Sequence, residues 1–79
     1  MKENNLITFK TVANRHTKEQ LIKMINNQIE HGREDFENFD SIENQYIQKA
    51  LNEDLSKMTK IQLAELKLNL FKALMDLAD

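Results

Sequence analysis

Residues 63–78 read LAELKLNLFKALMDLA, and in their middle Leu66, Leu68 and Leu70 alternate with Lys67 and Asn69. Alternation of this kind marks a half-buried strand, so the stretch decides between a fold with a sheet and one without. A helical wheel resolves it. With Leu63 at 0°, Leu66, Leu70, Leu74 and Leu77 all fall within about 60°. A second apolar stripe holds Ile61, Ala64, Leu68, Phe71, Met75 and Ala78, and Gln62, Glu65, Asn69, Lys72 and Asp76 share a polar strip. The alternation is two helical stripes interleaved. Residue types agree: Leu, Ala, Lys, Glu and Met favour helices, and no β-branched residue follows Ile61. The spacing predicts a helix over 60–78.

That helix is apolar around more of its circumference than a surface helix needs. The first stripe can pack on the rest of the domain. The second must also be covered, either by helices placed on different sides of it or by another molecule, since exposed apolar patches mark interfaces. The second stripe has heptad-like spacing but spans too few heptads for a coiled coil.

Working back along the chain, two further helices are expected. TKEQ at 17–20 sets Gln20 three residues after Thr17, the spacing of a capping box. Leu21, Ile22, Met24, Ile25 and Ile29 then share one face, and His31 with Gly32 is expected to close this helix at about 31, glycine taking a left-handed conformation. The connector REDFENFD follows. Asp40 or Ser41 is the expected N-cap of a helix over about 41–55, with Glu43 completing a box from Asp40. Its apolar residues drift from Ile42, Tyr46 and Ala50 to Ile47, Leu51 and Leu55, which suits contact with two neighbours. Ser56 and Thr59 offer a break, and TKIQ at 59–62 repeats the capping pattern of TKEQ.

Ahead of Thr17 lies NLITFKTV, rich in β-branched and aromatic residues. A lone strand cannot satisfy its own backbone groups. Residues 1–16 are therefore expected to form an extended arm that pairs with a copy or a partner, and residues 17–79 a single helical domain. The fold class expected is all-α, three helices with that arm.

Composition narrows the function. At 79 residues the chain holds one domain at most. A chain of this size buries only about 60% of its unfolded surface, which makes oligomerisation a useful source of stability. There is no cysteine and no proline, and Gly32 is the only glycine. Disulfides, thiolate metal sites and glycine-rich phosphate loops are excluded together. No apolar run approaches the roughly 20 residues of a membrane span, and MKENNLITFK lacks the apolar stretch of a secretion signal. A cytoplasmic protein is expected. The abundance of Asn, Lys and Ile, encoded by AT-rich codons, suits a low-GC bacterium or its phage.

The net charge of −2 hides a gradient: +3 over residues 1–24, −6 over 25–54 and +1 over 55–79. The first segment could approach an anion and the second would repel one. The simpler account is a set of solvated helix faces and a charged connector.

Nothing in the sequence assembles a catalytic site. His16 and His31 lie apart, each beside an expected helix end, and neither belongs to an HxxxH or HExxH pair. Ser41 and Ser56 sit where capping explains them. The acidic run EDFENFDSIE lacks the central glycine of a calcium loop. Phe36 and Phe39 within it could dock into a basic, apolar groove on another protein, or fold back to seal the core. Acids on the second helix that imitate nucleic-acid phosphates are a further thought resting on charge alone.

A short strand, two helices and a glycine turn over about residues 5–55 resemble the ribbon-helix-helix dimers, whose paired strands enter the major groove of DNA. The resemblance implies that Thr8 and Lys10 would face bases, with Arg15 nearby, while Ile7 and Phe9 face the core. The chain departs from that pattern in its long acidic connector, its extra apolar helix and its negative charge, where DNA-binding domains carry a basic excess.

The reading that follows is a non-enzymatic helical module that binds another protein, as a homodimer, and acts as a regulator, inhibitor or assembly factor. No cofactor or metal is implied. Ile61, Leu68, Phe71 and Met75 are the expected interface, with Phe36 and Phe39 second. A DNA-binding regulator using the N-terminal strand is the alternative.

Overall fold

Two capping boxes start the two long helices. In the computed structural model, which describes residues 11 and 13–78, Thr17 adopts an extended conformation (φ −75°, ψ 163°) and caps α1, Lys18–Asp35. The Gln20 N–H donates to Thr17 Oγ1 at 3.1 Å, and the Thr17 N–H donates to Gln20 Oε1 at 2.8 Å. The same exchange begins α3, Lys60–Ala78: Gln62 N–H to Thr59 Oγ1 at 3.1 Å, Thr59 N–H to Gln62 Oε1 at 2.9 Å. Each box satisfies two backbone donors that a helix start otherwise leaves unpaired. Both starts are where the sequence places them.

The all-α class is as expected: every regular element among the described residues is helical. The arm differs in part. Residue 11 and residues 13–15 are helical, not extended, and Ala13 is buried. Of the expected strand over NLITFKTV, Thr11 is helical and the other residues lie outside the described ones.

Helix α1 also runs past its expected end. Gly32 does not close it with a left-handed turn; it has a negative φ, is buried, and sits inside the helix. His31 is therefore an exposed mid-helix residue and not a cap. The helix ends at Phe36, whose N–H donates to Gly32 O at 2.9 Å. The left-handed residue comes later, at Asn38 (φ 57°, ψ 33°), a residue type that tolerates this region. There the chain reverses into a 3₁₀ turn, Phe39–Ser41.

The second helix is shorter than expected. Helix α2 is Gln45–Asn52, capped by Asn44, whose Oδ1 accepts from the N–H groups of Tyr46 (2.9 Å) and Ile47 (3.2 Å). Asp40 and Ser41 do not cap it, because both are taken up by the 3₁₀ turn, and Asp40 instead pairs with Arg33. Gln48 Nε2 donates to the carbonyls of Asp40 and Ile42, both at 2.9 Å, which ties the connector to α2. Beyond α2, Asp54 Oδ1 accepts from Ser56 N–H (3.1 Å) and Oγ (2.6 Å) at the start of a second 3₁₀ turn, Leu55–Lys57.

Helices α1 and α3 run parallel. The Lys18 ammonium reaches the Ser56 carbonyl near the start of both, and Gln28 Nε2 reaches Lys67 O at 3.5 Å midway. Gly32 and Phe36 lie level with Leu74 and Ala78 near their ends. Helix α2 covers another side of α3, with Tyr46 and Lys49 beside Gln62, Glu65, Leu66 and Asn69. Leu21 and Ile25 of α1, Ile47 of α2, and Leu63 and Leu70 of α3 are fully buried at the centre, with Phe39 closing one end. The first stripe of α3 is thus core: Leu63, Leu66 and Leu70 are buried, and Leu74 and Leu77 pack against them partly covered.

Candidate protein-interaction surface

With α1 and α2 on different sides of α3, the second stripe is covered unevenly. Ala64 is fully buried and Leu68 partly so. Ile61, Phe71 and Met75 keep 42%, 51% and 55% of their surface open. They are the large hydrophobic side chains that the described structure leaves exposed. Four side chains expected at an interface thus share one outward face of α3, since steps of seven, three and four residues return to one side of a helix.

Beside them, an open groove of about 340 Å³ lies between the second halves of α1 and α3. Phe71, Leu74, Met75 and Ala78 form one wall; Gly32, Phe36, Gln28, His31 and Asp35 form the other. The wall on α3 is apolar, while that on α1 mixes an aromatic ring with an amide, an imidazole and a carboxylate. Gln28 Oε1 is buried and accepts no hydrogen bond from the described protein groups, while its amide nitrogen is turned to Lys67 O.

Phe36 and Phe39 separate. Phe36 is partly buried and lines the groove. Phe39 is 2% exposed and belongs to the core, which corrects its place among interface residues. Its ring fills the space over Gly32, a contact between residues seven apart that local pattern does not reveal. The groove's α1 wall escapes sequence reading for a related reason. Gln28, His31 and Asp35 form a stripe at spacings of three and four, visible only when the helix is carried past Gly32.

Charge near this surface is mixed. On the side of the stripe away from α1, Glu65 and Lys72 are both exposed, seven residues apart. The best-formed ion pair lies elsewhere: Arg33 Nε donates to Asp40 Oδ1 at 2.8 Å and an Nη to Oδ2 at 3.1 Å. These hydrogen bonds hold Asp40 below its ordinary carboxylate pKa, and the same pairing raises Arg33. The pair secures the chain reversal and is remote from the apolar face.

Of the residues assigned to nucleic acid under the alternative reading, Arg15 is exposed in the short helical stretch before Thr17, and Thr8 and Lys10 lie outside the described residues. Among the described residues no three His, Cys, Asp or Glu side chains gather as a metal site. No described helix is long and apolar enough to cross a membrane. The fold and surface define a class: a small all-α domain with an apolar helix face and an adjoining groove open to solvent. Comparison of the chain with protein-family models, curated proteins and solved structures finds no match.

Proposed function

We propose that this protein is a non-enzymatic interaction module, a regulator, inhibitor or assembly factor that binds another protein through the outward face of α3. One observation carries the reading. Ile61, Phe71 and Met75 stay exposed on a single helix face although α1 and α2 both pack on α3. Large apolar side chains clustered this way gain free energy when a partner removes them from water, about 25 cal/mol per Å² buried. The adjoining groove gives a partner side chain a recess to enter, and aromatic residues such as Phe71 are frequent anchors at interfaces. Self-association through the same face and a cytoplasmic setting, in a low-GC bacterium or its phage, complete the proposal.

Affinity capture from the native host tests it, with wild type and Phe71→Asp compared side by side and helicity verified by circular dichroism. A specific protein retained by wild type and lost with Phe71→Asp is the expected result. Retention of the same proteins by both folded forms would exclude this face as the binding surface.

A further inference from the structure

Among the described residues, methionine occurs in three different settings. Met58 is 8% exposed and belongs to the core just before α3. Met24 of α1 is partly buried and packs against that core. Met75 keeps 55% of its surface open on the outward face of α3, and it forms part of the groove wall with Phe71, Leu74 and Ala78. The chain has no cysteine to take up an oxidant first.

We infer that Met75 is a reversible oxidation site, and that its sulfoxide switches off the exposed apolar face while leaving the fold intact. The reactivity stands on exposure; its consequence for binding rests on the interaction-module reading above. The Met75 sulfur attacks one oxygen of hydrogen peroxide. An S–O bond forms, the O–O bond breaks, and a proton passes to the departing hydroxide, so that the products are the sulfoxide and water. Sulfur gives up two electrons and the peroxide takes them. Methionine sulfoxide reductases return the two electrons from a dithiol and release the oxygen as water, one enzyme for each sulfoxide epimer.

Position decides what the same reaction does. At Met58 the new S–O dipole would have to stay in a packed core away from water, which destabilises the fold. At Met75 water solvates it, and α3 ends only three residues later at Ala78, so the helix has little to lose. What changes is the surface. A flexible apolar side chain next to Phe71 becomes a polar one that holds water. A partner covering the face would then bury a hydrated dipole in place of a thioether, and association weakens.

Graded hydrogen peroxide on the full chain at neutral pH, followed by proteolysis and mass spectrometry, tests the order of reaction. Met75 should oxidise fastest, Met24 more slowly and Met58 at least roughly tenfold more slowly, since susceptibility follows exposure. The singly oxidised protein should keep the circular dichroism of the untreated form and unfold at nearly the same urea concentration. On a phenyl column it should elute earlier, and treatment with both reductases should restore its retention. Met75→Leu should abolish the fast step without changing stability. Met75→Gln, polar and uncharged, should elute early without peroxide. Met75 reacting no faster than Met58 overturns the inference, as does unfolding on the first oxidation or unchanged retention on the column. In affinity capture, a protein held equally by the reduced and the Met75-oxidised forms also overturns the switch. If neither form captures a protein while the oxidation order and retention are as expected, the proposed function fails and the oxidation site stands.

Discussion

The ring of Phe39 packs against the backbone of Gly32, so close that a Cβ built there would sit 2.6 Å from Cζ and 2.9 Å from Cδ1. Glycine is kept at this position by a packed neighbour and not by its own backbone angles, which are ordinary for a helix. Gly32→Ala gains about 1 kcal/mol of helix propensity but forces the ring out of its seat, at about 1–3 kcal/mol for overpacking. The expected net result is a loss of about 1 kcal/mol, measured by urea unfolding. In a Phe39→Leu background, where the ring is gone, the same change should turn neutral or stabilising.

The Thr59 box is all that begins α3, whose first turn carries no acidic side chain. Thr59→Ala removes the acceptor for Gln62 N–H and loosens the return bond. A loss of about 1 kcal/mol is expected from equilibrium unfolding. Thr59→Ser should recover most of it, because the hydroxyl is the working group.

Leu70 and Phe71 are adjacent in sequence and opposite in environment: one fully buried, the other half exposed. Leu70→Ala should cost about 2–5 kcal/mol through lost transfer energy and the cavity left behind. Phe71→Ser should change monomer stability by less than about 1 kcal/mol. Thermal or urea unfolding at a concentration too low for association separates the two. Equal losses would mean that Phe71 is core and the interface reading mistaken.

The Arg33–Asp40 pair makes stability depend on pH in one direction. Because the folded-state pKa of Asp40 lies below its ordinary value of 3.8, the pair contributes fully above that value. The contribution is lost as pH falls through the folded pKa and Asp40 takes up a proton. Asp40→Asn should lower the melting temperature slightly at pH 7 and leave it equal to wild type well below pH 3.8, where both side chains are neutral. Both partners are exposed, with 51% and 59% of their side-chain surface open, so solvent screening keeps the effect small. Melting curves of the two forms across the acid range check the sign.

Legibility in the sequence follows the range of the interactions involved. TKEQ and TKIQ mark two helix starts correctly because a capping box is complete within four residues and needs no neighbour. Local pattern misplaces the end of α1 because Gly32 looks like a stop signal. What requires a glycine there, the Phe39 ring, arrives from beyond a chain reversal at Asn38. Helix α2 comes out too long for a similar reason. Asp40 and Ser41 have the chemistry of caps, but Arg33 and the 3₁₀ turn claim them first, leaving Asn44 to do the capping.

The stretch LAELKLNLFKALMDLA shows the same division within one helix. Its sequence alone determined that it is helical and carries two apolar stripes, since residue spacing at 100° per step requires nothing else. Only the packing of α1 and α2 decided which of those residues meet water. It buried Leu63, Leu66, Leu70 and Ala64, covered Leu68 in part, and left Ile61, Phe71 and Met75 outside. A periodic pattern assigns residues to faces of a helix, but the cover over a face is made by segments remote in sequence, and α1 and α2 pack on other sides of this one.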